Sequence, residues 1–161
     1  MLAKVLTGGQ TGVDRAATDF ALARGIAYGG WVPHGGWAED FPSPPGVLVA
    51  YPNFTESPSA DPAVRTVRNV DGADGVLVVS IGAARSAGSA LALARARQQR
   101  KPLAVVDVLG GDARAHLGAL AELLDPGYAL NVAGPRESEQ PGVYAAVRRF
   151  LDTNVDLLVA D

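Results

Sequence analysis

Gly75-Val76-Leu77-Val78-Val79-Ser80 is a continuous apolar run rich in β-branched residues, and it limits the possible folds more than any other stretch. A strand apolar at every position has both faces covered, which is the situation of a parallel sheet with helices on each side. Leu103 to Val108 is a second run of this kind. Between and around them the pattern changes to helical spacing. Ser86 to Arg100 is alanine-rich, and Lys101-Pro102 ends it. Asp61-Pro62 opens the helix before the Val76 run, with Asp as N-cap and Pro in the first turn.

The same alternation extends to both ends. Leu2 to Thr7 reads as a first strand. Val13, Ala16, Ala17, Phe20, Ala21 and Arg24 follow helical spacing, and Gly25 stands where a C-terminal cap belongs. Ile26 to Gly30 reads as a short second strand. Asp112 is placed to cap a helix carrying Leu117, Leu120, Ala121 and Leu124, which Pro126-Gly127 ends. Tyr128 to Ala133 is the last strand, and Val143, Ala146, Val147, Phe150 and Leu151 mark the final helix. Trp31 to Ser59 holds most of the prolines and shows no period, so it is either a functional loop or structure without a sequence signature. The expected fold is α/β: a Rossmann-like three-layer α/β/α arrangement with a mostly parallel sheet, one domain over residues 1–161.

Composition narrows the chemistry. At 48% hydrophobic and 19% charged, the chain has enough apolar surface for a core. With 0 cysteines there is no disulfide, thiolate nucleophile or sulfur metal ligand. Only 2 histidines disfavour zinc or iron, although carboxylates could hold a hard cation. A net charge of −3 argues against a nucleic-acid partner. Arg95, Arg97, Arg100 and Lys101 read as last-turn cations complementing their helix dipole. No run is long enough to cross a bilayer, and Met1-Leu2-Ala3-Lys4 does not begin a signal peptide, so the expected location is cytoplasmic and no membrane partner is expected.

The strongest local signal is Thr7-Gly8-Gly9-Gln10-Thr11-Gly12-Val13-Asp14-Arg15, between a strand and a helix. Glycines allow a sharp turn and close approach, and a helix start offers N–H groups to an anion. Gly8, Gly9, Gln10, Thr11, Gly12 and Arg15 are therefore candidates for holding a phosphate; a plain tight turn is the alternative. It is neither a P-loop nor the dinucleotide G-x-G-x-x-G. A second loop, Ile81 to Ser89, also joins a strand to a helix and offers Arg85, Ser86, Gly88 and Ser89. The two loops would face each other if the Val76 strand lies beside the Leu2 strand. A third cluster, Asn131, Gly134 and Arg136, follows the last strand, where Arg136 pairs with an anion or is a surface arginine in a turn. Because loops after parallel strands gather on one edge, the three are expected to share a crevice. In Trp31 to Asp40 the two tryptophans either stack on a flat heterocycle or pin the loop, and His34 is a possible anion donor. Arg65, Arg68 and Asn69 share a helix face by their spacing, which reads first as a solvated face. No catalytic residue and no protein metal ligand is assigned.

Several of these motifs resemble one family in order along the chain. Thr7 to Arg15, Gly29-Gly30-Trp31 with Pro33 and Ala38-Glu39-Asp40, Arg65-Thr66 with Asn69-Val70 and Asp74-Gly75, and Leu130 to Arg136 look like the molybdenum carrier family. That family lies in a Rossmann-like superfamily with the cytokinin-activating phosphoribohydrolases, long labelled lysine decarboxylases. The resemblance implies binding or carriage of the molybdenum cofactor (molybdopterin), a phosphorylated pterin holding molybdenum, and a homo-oligomer. The chain departs from the family at Val32, where a cysteine is usual, at His34-Gly35-Gly36-Trp37, where basic residues are usual, and at Ala87-Gly88-Ser89 in place of Gly-Gly-Thr. Ala92 stands where the related hydrolases carry a glutamate, so the resemblance argues for a holder over a hydrolase. The alternative is an enzyme or sensor that binds a nucleotide or nucleoside phosphate.

Overall fold

The computed structural model describes residues 1–83 and 86–159. In chain order the elements are β1 (Leu2–Leu6), α1 (Val13–Ala23), β2 (Ala27–Gly29), β3 (Trp31–Val32), β4 (Thr55–Glu56), α2 (Pro62–Asp71), β5 (Gly75–Ser80), α3 (Ala87–Gln98), β6 (Leu103–Asp107), α4 (Ala113–Glu122), β7 (Tyr128–Ala133), α5 (Val143–Thr153) and α6 (Val155–Val159). Strands β2-β1-β7-β5-β6 form a five-stranded sheet, and every pairing is parallel. Helices α1, α4, α5 and α6 pack on one another over one face, while α2 and α3 pack together over the other. The burial of all six residues of β5 follows from this layering.

The strand order corrects one expectation. The Val76 strand does not lie beside the Leu2 strand; β7 is between them, pairing Leu6 with Asn131 on one side and Asn131 with Val76 on the other. If β7 were moved ahead of β1, the order would read 3-2-1-4-5, the order of a Rossmann half. The order reverses between β7 and β5, and in such sheets ligands sit outside the carboxyl ends at that point.

Local signals explain most boundaries. Asp61 accepts from the Ala63 N–H at 2.9 Å, with Pro62 in the first turn. Gly25 takes a left-handed φ of 66° after α1. Asp112 precedes α4, but its side chain makes no capping bond among the described residues. The basic cluster at the end of α3 serves its neighbour as well as its own helix. Lys101 Nζ donates to the carbonyls of Val70 (2.7 Å), Asp71 (2.9 Å) and Ala73, closing the C-terminus of α2, and Arg95 pairs with Asp71 at 2.7 Å. Residues 31–59 contain two-residue strands, β3 and β4, which pair in parallel, and two short 3-10 turns at His34–Gly36 and Gly46–Val49. Among the described residues no helix is long and apolar enough to cross a membrane.

Candidate functional site

A cavity of about 270 Å³ opens at the carboxyl edge, where the strand order reverses. Gly8, Gln10 and Asp14 reach it from the β1–α1 connection, and Asn131, Gly134 and Arg136 reach it from the end of β7. Arg65, Thr66 and Asn69 of α2 form one wall; Ser86, Ala87, Gly88 and Leu91 at the start of α3 form another. Pro33 and Trp37 come from the 31–59 segment.

The glycine-rich loop is not an empty nest of amides. The N–H groups of Gly8 and Gln10 donate to Asp14 Oδ2 at 3.1 and 3.2 Å. Those of Gly9 and Thr11 donate to Thr7 Oγ1 (3.3 Å) and Gln10 Oε1 (3.0 Å), and Val13 N–H donates to the Pro135 carbonyl at 3.2 Å. The loop is filled by its own helix: Asp14, in the first turn of α1, stands where an external anion would otherwise be held. Its carboxyl is buried, and burial pushes its pKa up; the Arg65 charge and the amides of Gln10 and Gly8 pull it part of the way back.

Arg65 lies across this loop, with Nη1 at 3.6 Å from Asp14 Oδ2. Among the described residues its Nε is buried without a partner. Gly8 is required here for space. A β-carbon at Gly8 would coincide with the Arg65 guanidinium, whereas its φ is ordinary. Gly8→Ala is therefore expected to fold, because a guanidinium can swing aside, but to lose the Arg65–Asp14 contact and some stability with it. A denaturant midpoint equal to the parent's would show that the contact contributes nothing.

The other loop glycines serve internal packing. Gly9 (φ 72°) faces the Val32 and Val47 side chains, and Gly12 (φ 71°) abuts the Pro135–Glu137 backbone. A β-carbon at Gly134 would collide with the Val79 carbonyl and Val13. Thr11 Oγ1 donates to Glu39 and accepts from the Glu137 N–H at 3.2 Å. Burial works against the charged form of Glu39, but hydrogen bonds from Ser138 and Thr11 outweigh it and hold this carboxyl below its ordinary range. Gln10 Oε1 also accepts the Glu39 N–H at 2.9 Å, so the 31–59 segment is tied down beside the cavity.

Of the residues singled out from sequence, Gly8, Gln10, Ser86, Gly88, Asn131, Gly134 and Arg136 line the one cavity. Gly9, Thr11, Gly12 and Ser89 do not; Ser89 is buried against Ser86 at 2.8 Å. Arg15 points away and binds Asp40 through both terminal nitrogens, at 2.7 and 3.0 Å, over the Tyr51 ring. His34 is exposed and paired with Glu56 at 3.0 Å. Arg85 lies outside the described residues. Asp14, Arg65 and Asn69 were not among those candidates. Arg65 and Asn69 read as a solvated face. Trp37 lines the cavity with Arg136 5.9 Å from its ring, whereas Trp31 lies under Arg68 at 4.4 Å. Ala92 is 1% exposed, packed against the α2–α3 face of the sheet and absent from the cavity lining, so the lack of an acid there says nothing about this site. Among the described residues no group of three or more His, Asp or Glu side chains is placed to hold a metal ion.

Residues 5–155 match the model of the circularly permutated YpsA SLOG family. The chain belongs to this family. The sheet order gives that description a physical meaning, since β7 occupies the place of a Rossmann half's first strand but comes last in the sequence. Among solved structures, the chain is similar to a crystal structure at 1.45 Å resolution named "Putative molybdenum carrier protein" from Syntrophus aciditrophicus SB, with 36% identity, a TM-score of 0.78, and coverage of 96% of this chain and 95% of that one. No curated protein matches.

Proposed function

We propose that this chain holds the molybdenum cofactor as cargo, with its phosphate against the start of α3 and Arg136 and its pterin within the cavity. The observation that carries this reading is the convergence of Arg65, Arg136 and the first turn of α3 on one cavity at the reversal of strand order. Ala87 and Gly88 are first-turn residues, whose N–H groups precede any i−4 carbonyl of their helix and suit an anion. Arg65 adds charge from the opposite wall. Trp37, half-exposed beside Arg136, offers a face to a flat ring. The name carried by the similar Syntrophus protein points the same way. With no cysteine in the chain, molybdenum would keep only its pterin sulfurs, oxygen or water. A nucleoside phosphate is the second reading, favoured by the Rossmann-half strand order.

One experiment separates them. The protein is purified from its native host, denatured, and the released material assayed for pterin fluorescence, molybdenum and nucleotide absorbance. Pterin with molybdenum is the expected result. Nucleotide alone would transfer the site to the second reading, and neither would overturn both.

A further inference from the structure

We propose that Glu139 is a built-in competitor for the ligand's phosphate: its carboxylate holds Arg136 between binding events and gives way when the phosphate arrives. This rests on the reading of the cavity as a site for a phosphorylated ligand. Both residues line the cavity. Glu139 Oε2 accepts the backbone N–H of Arg136 at 2.9 Å, and Oε1 lies 3.6 Å from Arg136 Nη2. A carboxylate set between the amide and the guanidinium of one residue fills a place that would suit any oxyanion. Among the described residues each arginine of the cavity wall thus has a carboxylate beside it, Asp14 for Arg65 and Glu139 for Arg136.

The two carboxylates differ in how readily they move. Asp14 is 6% exposed and bound by the Gly8 and Gln10 amides, so displacing it would strand a buried charge. Glu139 is 36% exposed, and water takes up its carboxylate when it turns away. The turn does not depend on that carboxylate either. The Glu139 and Gln140 N–H groups both donate to the Arg136 carbonyl, at 3.1 and 3.0 Å. The Gln140 amide accepts from the Ile81 N–H at 2.7 Å and donates to the Ile81 carbonyl at 2.6 Å, which ties the turn to the end of β5. Glu139 therefore rotates while Arg136 stays at the cavity. On the phosphate reading, a dianion engages Arg136 and the first-turn N–H groups of α3 together, whereas Glu139 engages only its own turn. The exchange favours the phosphate but keeps binding moderate, and the carboxylate returns to Arg136 when the cargo leaves.

The test titrates the intact protein calorimetrically with GMP and with guanosine, which differ by the phosphate alone, at pH about 7.5, above the ordinary carboxylate range. Glu139→Gln keeps an oxygen for the Arg136 N–H and removes the charge. The variant is expected to bind GMP about fivefold more tightly than the parent, the scale of two unit charges about 4 Å apart in water, and to bind guanosine as the parent does. The gain should shrink in added salt, because both side chains are partly exposed. A variant that only loosened the turn would bind GMP more weakly, so the direction of the change separates competition from a structural role. Unchanged or weaker GMP binding in Glu139→Gln, or an equal gain for guanosine, overturns the competitor and leaves the phosphate reading standing. GMP binding no tighter than guanosine in both proteins, or no binding of either, overturns the phosphate reading as well.

Discussion

Arg65→Ala is expected to destabilise the protein by about 3 kcal/mol at neutral pH, because removing one member of a buried ion pair leaves the other charge uncompensated. Asp14 would then keep only its two amide donors in a buried setting. The cost should be specific to that charge. Asp14→Asn alone is expected to cost less, since an amide oxygen can accept from Gly8 and Gln10 and the stranded Arg65 is the more exposed member of the pair, 17% against 6%. The double variant should recover most of what Arg65→Ala loses. A double-mutant cycle in urea measures this, and strictly additive losses would show that the two side chains do not interact. The pH dependence carries the same signature with a definite sign. Burial raises the folded pKa of Asp14 above its ordinary 3.8. Below 3.8 the group is protonated whether folded or not and contributes no cost. As pH rises from there through the folded pKa, the unfolded chain gives up its proton first, and the stability contributed by Asp14 falls, then levels off. Relative to the parent, Asp14→Asn should lack this fall. Arg65→Ala should show a larger one extending to higher pH.

That pair shows where reading the sequence stops. The strands were legible because β5 is covered on both faces and every position had to be apolar. The convergence of the three loops was legible because loops that follow parallel strands have one edge to share. Neighbour relations were not: nothing in the residues of Tyr128–Ala133 says that this strand inserts between β1 and β5. The chemistry of the glycine-rich loop was half legible. Glycines at 8, 9 and 12 announce a backbone that cannot tolerate side chains, but not whether a ligand or the chain itself needs the space. Here Arg65, Val32 and the Pro135–Glu137 backbone take it. The polar face of α2 had the period of a solvated helix. The same period suits a face turned toward a cavity, and only packing distinguishes them. Residues 31–59 gave no pattern because β3 and β4 are two residues long, too short for alternation to register.

Asn69→Leu is expected to release the 31–59 segment, at a cost of about 3 kcal/mol or more, through loss of bonds to buried backbone groups. Asn69 is 2% exposed and takes the place of a missing strand. Along β3, the Gly30 and Val32 carbonyls accept from Thr55 and Ser57 of the β4 side, both at 2.8 Å. The intervening residue, Trp31, faces the other way. Its N–H donates to Asn69 Oδ1 at 2.7 Å and its carbonyl accepts from Nδ2 at 3.0 Å, as a peptide group would arrange. The same Nδ2 donates to the Thr7 carbonyl at 3.1 Å, joining β3 and the end of β1 through a single side chain of α2. Leucine has a similar shape and satisfies none of these groups. Aspartate could accept from Trp31 but would set a carboxylate against two carbonyls, so it should fare no better. Both tryptophans of the chain lie in this segment, which makes their fluorescence a local probe, while far-UV circular dichroism reports the helices and the sheet. In the variant the fluorescence midpoint in denaturant should fall ahead of the dichroism midpoint, as the segment that carries Pro33 and Trp37 leaves the cavity wall. A fluorescence midpoint unchanged from the parent would mean that Asn69 is not what holds β3 in place.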